Sequence, residues 1–174
     1  EITPRETVVM DYAFLKKVFR YEFIFGEENE TPESEVDAVF SDFFETSLMV
    51  KSDVKAGYSL TRPGFDQLTI WANLAKTFLE SYWIATRAII KRQKEGKKRS
   101  DMLKSMTYLG QRYHRMGLVD HLEAVSQISF KNAIRMIEED FPLPADQPEE
   151  ARLNTCENLA QFSKRLHQFS QYNK

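Results

Sequence analysis

No glycine or proline interrupts the chain between Gly64 and Gly96. Within that stretch Phe65, Leu68, Ala72, Ala75, Leu79, Tyr82 and Ile89 recur at helical spacing, and Trp71, Leu74, Phe78 and Trp83 widen their stripe beyond half the circumference. The spacing predicts one long helix over about 63–94, apolar nearly all round and therefore buried and central. The remaining elements have to surround it. With 42% hydrophobic and 13% aromatic residues the chain can supply such a core. The expected fold is mainly α: a helical bundle around the long central helix, with a small β-hairpin and a winged-helix-like order in part. A length of 174 residues fits a single helical domain over 1–174.

The scarce glycines and prolines, six of each, punctuate the other elements. Thr3-Pro4-Arg5-Glu6 reads as a helix start, with Thr3 as cap, Pro4 in the first turn and Glu6 reaching back. That helix is expected to run to about Phe25, before Gly26. Thr31-Pro32-Glu33 repeats the signal for a second helix, ending near Thr46, with Val36, Val39, Phe40, Phe43 and Phe44 as its stripe. Ser47 to Val50 and Tyr58 to Thr61 are short β-prone runs around a polar segment, which predicts a hairpin. Helix, hairpin and then a helix starting at Arg62-Pro63-Gly64 is the order of a winged-helix element; a hairpin capping a helical core is the simpler reading.

After the long helix, Ser100-Asp101 reads as the cap of a helix ending at Gly117. Asp120 to Glu123 reads as another cap, followed by a short helix to about Val125 and a longer one from Ser129 to Glu139. Phe141-Pro142-Leu143-Pro144 breaks the chain. Asp146 to Glu149 starts the last helix, with Leu153, Cys156, Ala160, Leu166 and Phe169 as its stripe.

The longest charge-free run is Gln67 to Ala75, far short of the roughly 20 apolar residues of a membrane-spanning helix. No N-terminal signal-peptide pattern is visible. The single cysteine, Cys156, has no internal disulfide partner and sits in an apolar stripe, as a small hydrophobe rather than a nucleophile. His114, His121 and His167 offer no converging ligand set, so no metal is expected; His114 and His121 read as exposed histidines at helix ends. The phosphate-binding, dinucleotide-binding and nucleophile-elbow motifs are absent, and no cofactor is implied.

Charge is unevenly spread. Residues 1–61 hold six basic and 13 acidic residues, a net of −7. Residues 91–115 reverse this: Lys91, Arg92, Lys94, Lys97, Lys98, Arg99, Lys104, Arg112 and Arg115 face only Glu95 and Asp101, a net of +7. Most charge runs are solvated helix ends. The functional alternative is docking of something anionic, with Lys91, Arg92, Lys94, Lys97, Lys98 and Arg99 as the candidate site for a membrane surface, acyl-CoA or an acidic carrier protein. Nucleic acid fits poorly. A recognition helix over 129–139 would offer Lys131, Asn132 and Arg135, but it ends in Glu138, Glu139 and Asp140, which oppose phosphate.

Three ordered segments carry a resemblance. They are Phe78-Leu79-Glu80-Ser81-Tyr82-Trp83; Tyr108-Leu109-Gly110 with Tyr113 and Gly117; and Glu123-Ala124-Val125-Ser126-Gln127-Ile128-Ser129-Phe130-Lys131-Asn132-Ala133. Together with Phe14 to Phe25 and Tyr58 to Thr61, this order resembles the C-terminal region of glycerol-3-phosphate acyltransferases of the bacterial membrane and mitochondrial type, over most of residues 8–140. Val125 stands where relatives carry leucine.

The resemblance implies acyl transfer from acyl-CoA or acyl carrier protein to the 1-hydroxyl of glycerol 3-phosphate, in phospholipid and glycerolipid synthesis. The family's catalytic His-x-x-x-x-Asp is missing, because the positions five after each histidine are Val119, Ser126 and Tyr172. Its phosphate-binding motif is missing too. No catalytic residue is therefore carried over. Glu80, Ser81, Tyr82, Trp83, Gly110, Gly117, Glu123, Ser126 and Asn132 are expected to be structural, in an accessory domain lying beside a catalytic domain of the same polypeptide. The implied location is peripheral, on the cytoplasmic side of a bacterial inner or mitochondrial outer membrane. The alternative is a winged-helix-like module for protein or nucleic-acid binding.

Overall fold

The computed structural model describes residues 2–26, 30–52, 57–95, 101–142 and 149–171. Among them are six α-helices: α1 (Arg5–Val18), α2 (Pro32–Glu45), α3 (Arg62–Glu95), α4 (Met102–Arg115), α5 (Gln127–Asp140) and α6 (Glu149–Ser170). A two-stranded antiparallel hairpin, β1 (Met49–Lys51) and β2 (Tyr58–Leu60), stands between α2 and α3, and a 3-10 turn covers Leu122–Ala124. The chain is thus mainly helical with one small hairpin, as the periodicity predicts. It divides into two compact units, Glu1–Asn73 and Leu74–Lys174.

In the first unit the buried core is Val9, Val36, Phe40 and Met49, with Tyr12, Phe43, Phe44 and Tyr58 packed against it. The Tyr58 ring stands edge-on to Phe40, with centroids 4.8 Å apart. Thr3 does not cap α1. Pro4 is the cap residue, and the backbone of Thr3 pairs instead with Tyr58 through two 2.9 Å hydrogen bonds. Nor does α1 reach Phe25. It stops at Val18, where Phe19 is buried and the Arg20 guanidinium donates to the Lys17 carbonyl at 2.8 Å, satisfying one of the last-turn oxygens.

Thr31 caps α2 as expected, accepting the Ser34 amide at 3.3 Å. Arg5 reaches across from α1 to α2 with two bonds to Asp37, at 2.9 and 2.7 Å. Those hydrogen bonds hold the Asp37 carboxyl below its usual range. A depressed folded-state value means that the pair's small surface contribution is present above the unfolded value and lost as pH falls through the folded one.

Ser47 sits at φ 57°, in the left-handed region that ends α2. Its amide bonds the Phe44 carbonyl and the Leu48 amide bonds that of Phe43, so the chain turns sharply into β1. The Thr61 hydroxyl then accepts the Gly64 amide at 3.1 Å, capping α3, while the Thr61 amide donates to the Leu48 carbonyl at 3.0 Å. The strand and the helix start are thereby joined.

The second unit is built on the later turns of α3. Every residue from Leu79 to Ile90 except Arg87 is buried, the all-round burial expected of the long helix. The expectation fails for its first turns, where Phe65, Ile70, Trp71 and Leu74 are exposed. Burial on all sides needs neighbours on all sides, and the apolar pattern does not report where they stop. α5 begins at Gln127, with Ser126 as its cap accepting the Ser129 amide at 3.3 Å, two residues earlier than expected. The proposed caps at Ser100 and 146–148 lie outside the described residues. Asp101 takes a left-handed cap position, and its side chain accepts no capping hydrogen bond from the helix backbone. No described helix is long and apolar enough to cross a membrane.

Candidate functional site

Glu80 is fully buried on α3, and its carboxylate is spent on a neighbouring turn of backbone. The Asp120 amide donates to Oε1 at 2.8 Å. The His121 amide donates to Oε2 at 3.1 Å, and the His121 ring reaches the same oxygen through Nδ1, also at 3.1 Å. One turn earlier on the same helix face, Lys76 is 3% exposed and its ammonium lies 2.6 Å from Asp120 Oδ2. The adjacent Ser81 hydroxyl donates to the Ala124 carbonyl. Lys76, Glu80 and Ser81 of α3 thus clamp the segment 120–124.

The segment is pre-shaped to be held. α4 ends with the Gly117 amide on the His114 carbonyl and the Leu118 amide on that of Tyr113, both at 3.0 Å. Gly117 takes φ +67°, the left-handed position of this helix terminus. The His114 Nδ1 lies 3.1 Å from the Val119 carbonyl, which can only accept, so this nitrogen carries the proton. His114 and His121 are therefore not exposed helix-end residues. Each is half-buried and tied to the turn between α4 and α5.

Trp83 lies on the same α3 face, three residues after Glu80. Its ring stacks on Tyr113 of α4 at 4.9 Å and on His167 of α6 at 4.3 Å, so three helices meet there. Gly110 is buried where α4 approaches α3: a Cβ would lie 2.9 Å from Val125 Cγ2 and 3.1 Å from Ile84 Cδ1. Tyr82 is buried, and its carbonyl accepts the Thr86 hydroxyl. Glu123 is exposed on the 3-10 turn and Asn132 is half-buried on α5. The quoted family-like residues thus gather mainly around one helix–turn junction. None of the interactions just described leaves Glu80 free to act as an acid or base on a substrate.

Of the basic residues in 91–99, only Lys91 and Arg92 have described side chains. Lys91 is exposed, whereas Arg92 is half-buried with Nη1 on the Ser105 hydroxyl at 3.3 Å. Lys97, Lys98, Arg99 and the side chain of Lys94 lie outside the described residues. Further along, Lys104, Arg112 and Arg115 are exposed on α4. Cys156 is half-buried on α6. Among the described residues no three His, Cys, Asp or Glu side chains converge as metal ligands would. The supposed recognition helix carries its own neutraliser, Arg135 Nε lying 3.3 Å from Glu139 Oε1.

The family model of the glycerol-3-phosphate acyltransferase C-terminal region matches residues 2–141. The chain belongs to this family. No curated protein and no solved structure matches it. As a glycerol-3-phosphate acyltransferase C-terminal region, it carries the Glu80 clamp, Gly110 and Gly117 within the matched span, whereas α6 with His167 lies beyond it. Of the two rings stacked on Trp83, Tyr113 lies in the matched region and His167 beyond it.

Proposed function

We propose that this chain is the non-catalytic C-terminal domain of a glycerol-3-phosphate 1-O-acyltransferase, supporting the catalytic domain that transfers an acyl chain from acyl-CoA or acyl carrier protein to glycerol 3-phosphate. The observation that carries the reading is the family match over 2–141 in a chain without a His-x-x-x-x-Asp. The chemistry needs a base for the glycerol hydroxyl and fixed cations for the phosphate. The groups that resemble the family here are instead committed to backbone and to ring stacking. A scaffold of this kind contributes by holding a surface in shape for its neighbour. On this reading the domain acts in phospholipid synthesis, peripherally on the cytoplasmic side of a bacterial inner or mitochondrial outer membrane, and needs no cofactor of its own.

The reading has a direct kinetic test. Purified chain incubated with glycerol 3-phosphate and a long-chain acyl-CoA should form no lysophosphatidic acid by mass spectrometry. Time-dependent product above a heat-inactivated control would overturn it.

A further inference from the structure

The outward face of α4 carries basic residues near both of its ends. Lys104, Tyr108, Gln111, Arg112 and Arg115 are all exposed, and their spacing puts them on one side of the helix. At about 1.5 Å per residue the stripe from Lys104 to Arg115 is about 17 Å long. α4 contains no acidic residue; the nearest acid in sequence, Asp101, lies 3.4 Å from Lys104 at the helix start.

A solvated face would end there, but this one ends in apolar side chains. Met116, one turn after Arg112, is 57% exposed. Leu118 follows the left-handed turn at Gly117 and is exposed, and Leu122 is 54% exposed on the 3-10 turn. Near the other end of the stripe an open groove of about 740 Å³ is lined by the Asp101–Lys104 pair, Thr107, Tyr108, Gln111 and Gln127, with Met102 and Leu103. Ile128, next to Gln127, is exposed. Isolated exposed leucines need no explanation. Apolar tips beside a stripe of cations and an aromatic ring do, because that is the composition of a surface lying in a lipid interface, with cations at phosphate level and apolar side chains just below.

We propose that the outward face of α4, with Met116, Leu118 and Leu122 at its end, docks on an anionic phospholipid bilayer. Lys104, Arg112 and Arg115 contact lipid phosphates, and the groove beside Tyr108 offers Lys104, Gln111 and Gln127 as donors to a headgroup. A bilayer suits this surface better than an acidic protein does. The exposed apolar side chains are scattered over a helix end and a turn, and a fluid interface accepts them without a shaped complement. The proposal rests on the acyltransferase reading, which places the domain at a membrane, and names the face that meets it; its test does not pass through acyl transfer.

The test is flotation of the purified chain with vesicles of phosphatidylcholine alone or mixed with phosphatidylglycerol. Binding to the anionic vesicles only, weakening as salt rises, is expected. The double variant Arg112→Gln/Arg115→Gln should bind about thirtyfold more weakly, the loss expected for two basic residues at an anionic surface. Met116→Ser/Leu122→Ser should also weaken binding, including at high salt. These positions are exposed, and circular dichroism reports whether each variant is folded. Absence of binding by the wild-type chain to anionic vesicles at low salt would overturn the proposal without reference to any variant. So would folded arginine variants that bind like the wild type. Binding that prefers acyl carrier protein over vesicles and ignores Met116 and Leu122 would overturn it in favour of a protein partner.

Discussion

Replacing Glu80 with alanine is expected to cost the Leu74–Lys174 unit about 3–5 kcal/mol, the range for removing one partner of a buried charged network. Three donors lose their acceptor at once: the Asp120 amide, the His121 amide and the His121 ring. Each becomes a buried or half-buried polar group without a partner, at about 1–3 kcal/mol. Lys76 and Asp120, packed beside them, lose the segment that keeps them together. A loss of this size is a large part of the 5–15 kcal/mol that stabilises a typical domain. Urea unfolding should therefore show a much lower midpoint with little change in slope. Glu80→Gln, which keeps an acceptor oxygen, should cost less. If the alanine variant unfolds within about 1 kcal/mol of wild type, the clamp is not what holds the turn.

Gly64→Ala is expected to destabilise the Glu1–Asn73 unit by about 3 kcal/mol, the upper end for overpacking. In an unobstructed helix the same change would gain about 1 kcal/mol, so the sign alone is informative. The obstacle is backbone. A Cβ on Gly64 would stand 1.8 Å from the Leu48 carbonyl oxygen and 2.7 Å from its carbon. The start of α3 and the start of β1 would have to separate, breaking the bond from the Thr61 amide to Leu48. Thermal unfolding followed by circular dichroism measures the effect. An alanine variant as stable as wild type would show that the approach of Leu48 to α3 is looser than described.

These two residues also mark what the sequence could and could not reveal. The start of α2 was legible because capping chemistry is local: Thr31 caps it through a residue three positions away. The end of α1 was not legible. No glycine or proline appears between Pro4 and Gly26, and the helix stops where Phe19 is buried and the Arg20 side chain bonds the last turn. Gly64 reads as part of a helix start, yet its deciding neighbour is a carbonyl 16 positions earlier, on β1's side of the hairpin.

Glu80 shows the same limit at the candidate site. Its partners are 40 and 41 positions away, so no local spacing connects them to it. Only the family resemblance singled it out. The histidines were misjudged for the same reason, since Glu80 and the Val119 carbonyl, which engage them, lie outside any helical repeat. The basic stretch was visible as a count. Its division into a half-buried Arg92, an exposed Lys91 and an exposed α4 stripe depends on three-dimensional placement that a charge tally cannot supply.

The central claim, that this domain supports an acyltransferase catalytic domain through a shape maintained by the Glu80 clamp, is tested most directly by adding the chain back. Acyl transfer to glycerol 3-phosphate would be measured for the separately produced catalytic domain of the same polypeptide, alone, with this chain, and with its Glu80→Ala variant. The wild-type chain is expected to raise the catalytic domain's activity in a saturable way, and the variant to fail in proportion to its unfolded fraction. A catalytic domain indifferent to the wild-type chain, or equally activated by an unfolded Glu80→Ala variant, would contradict the account.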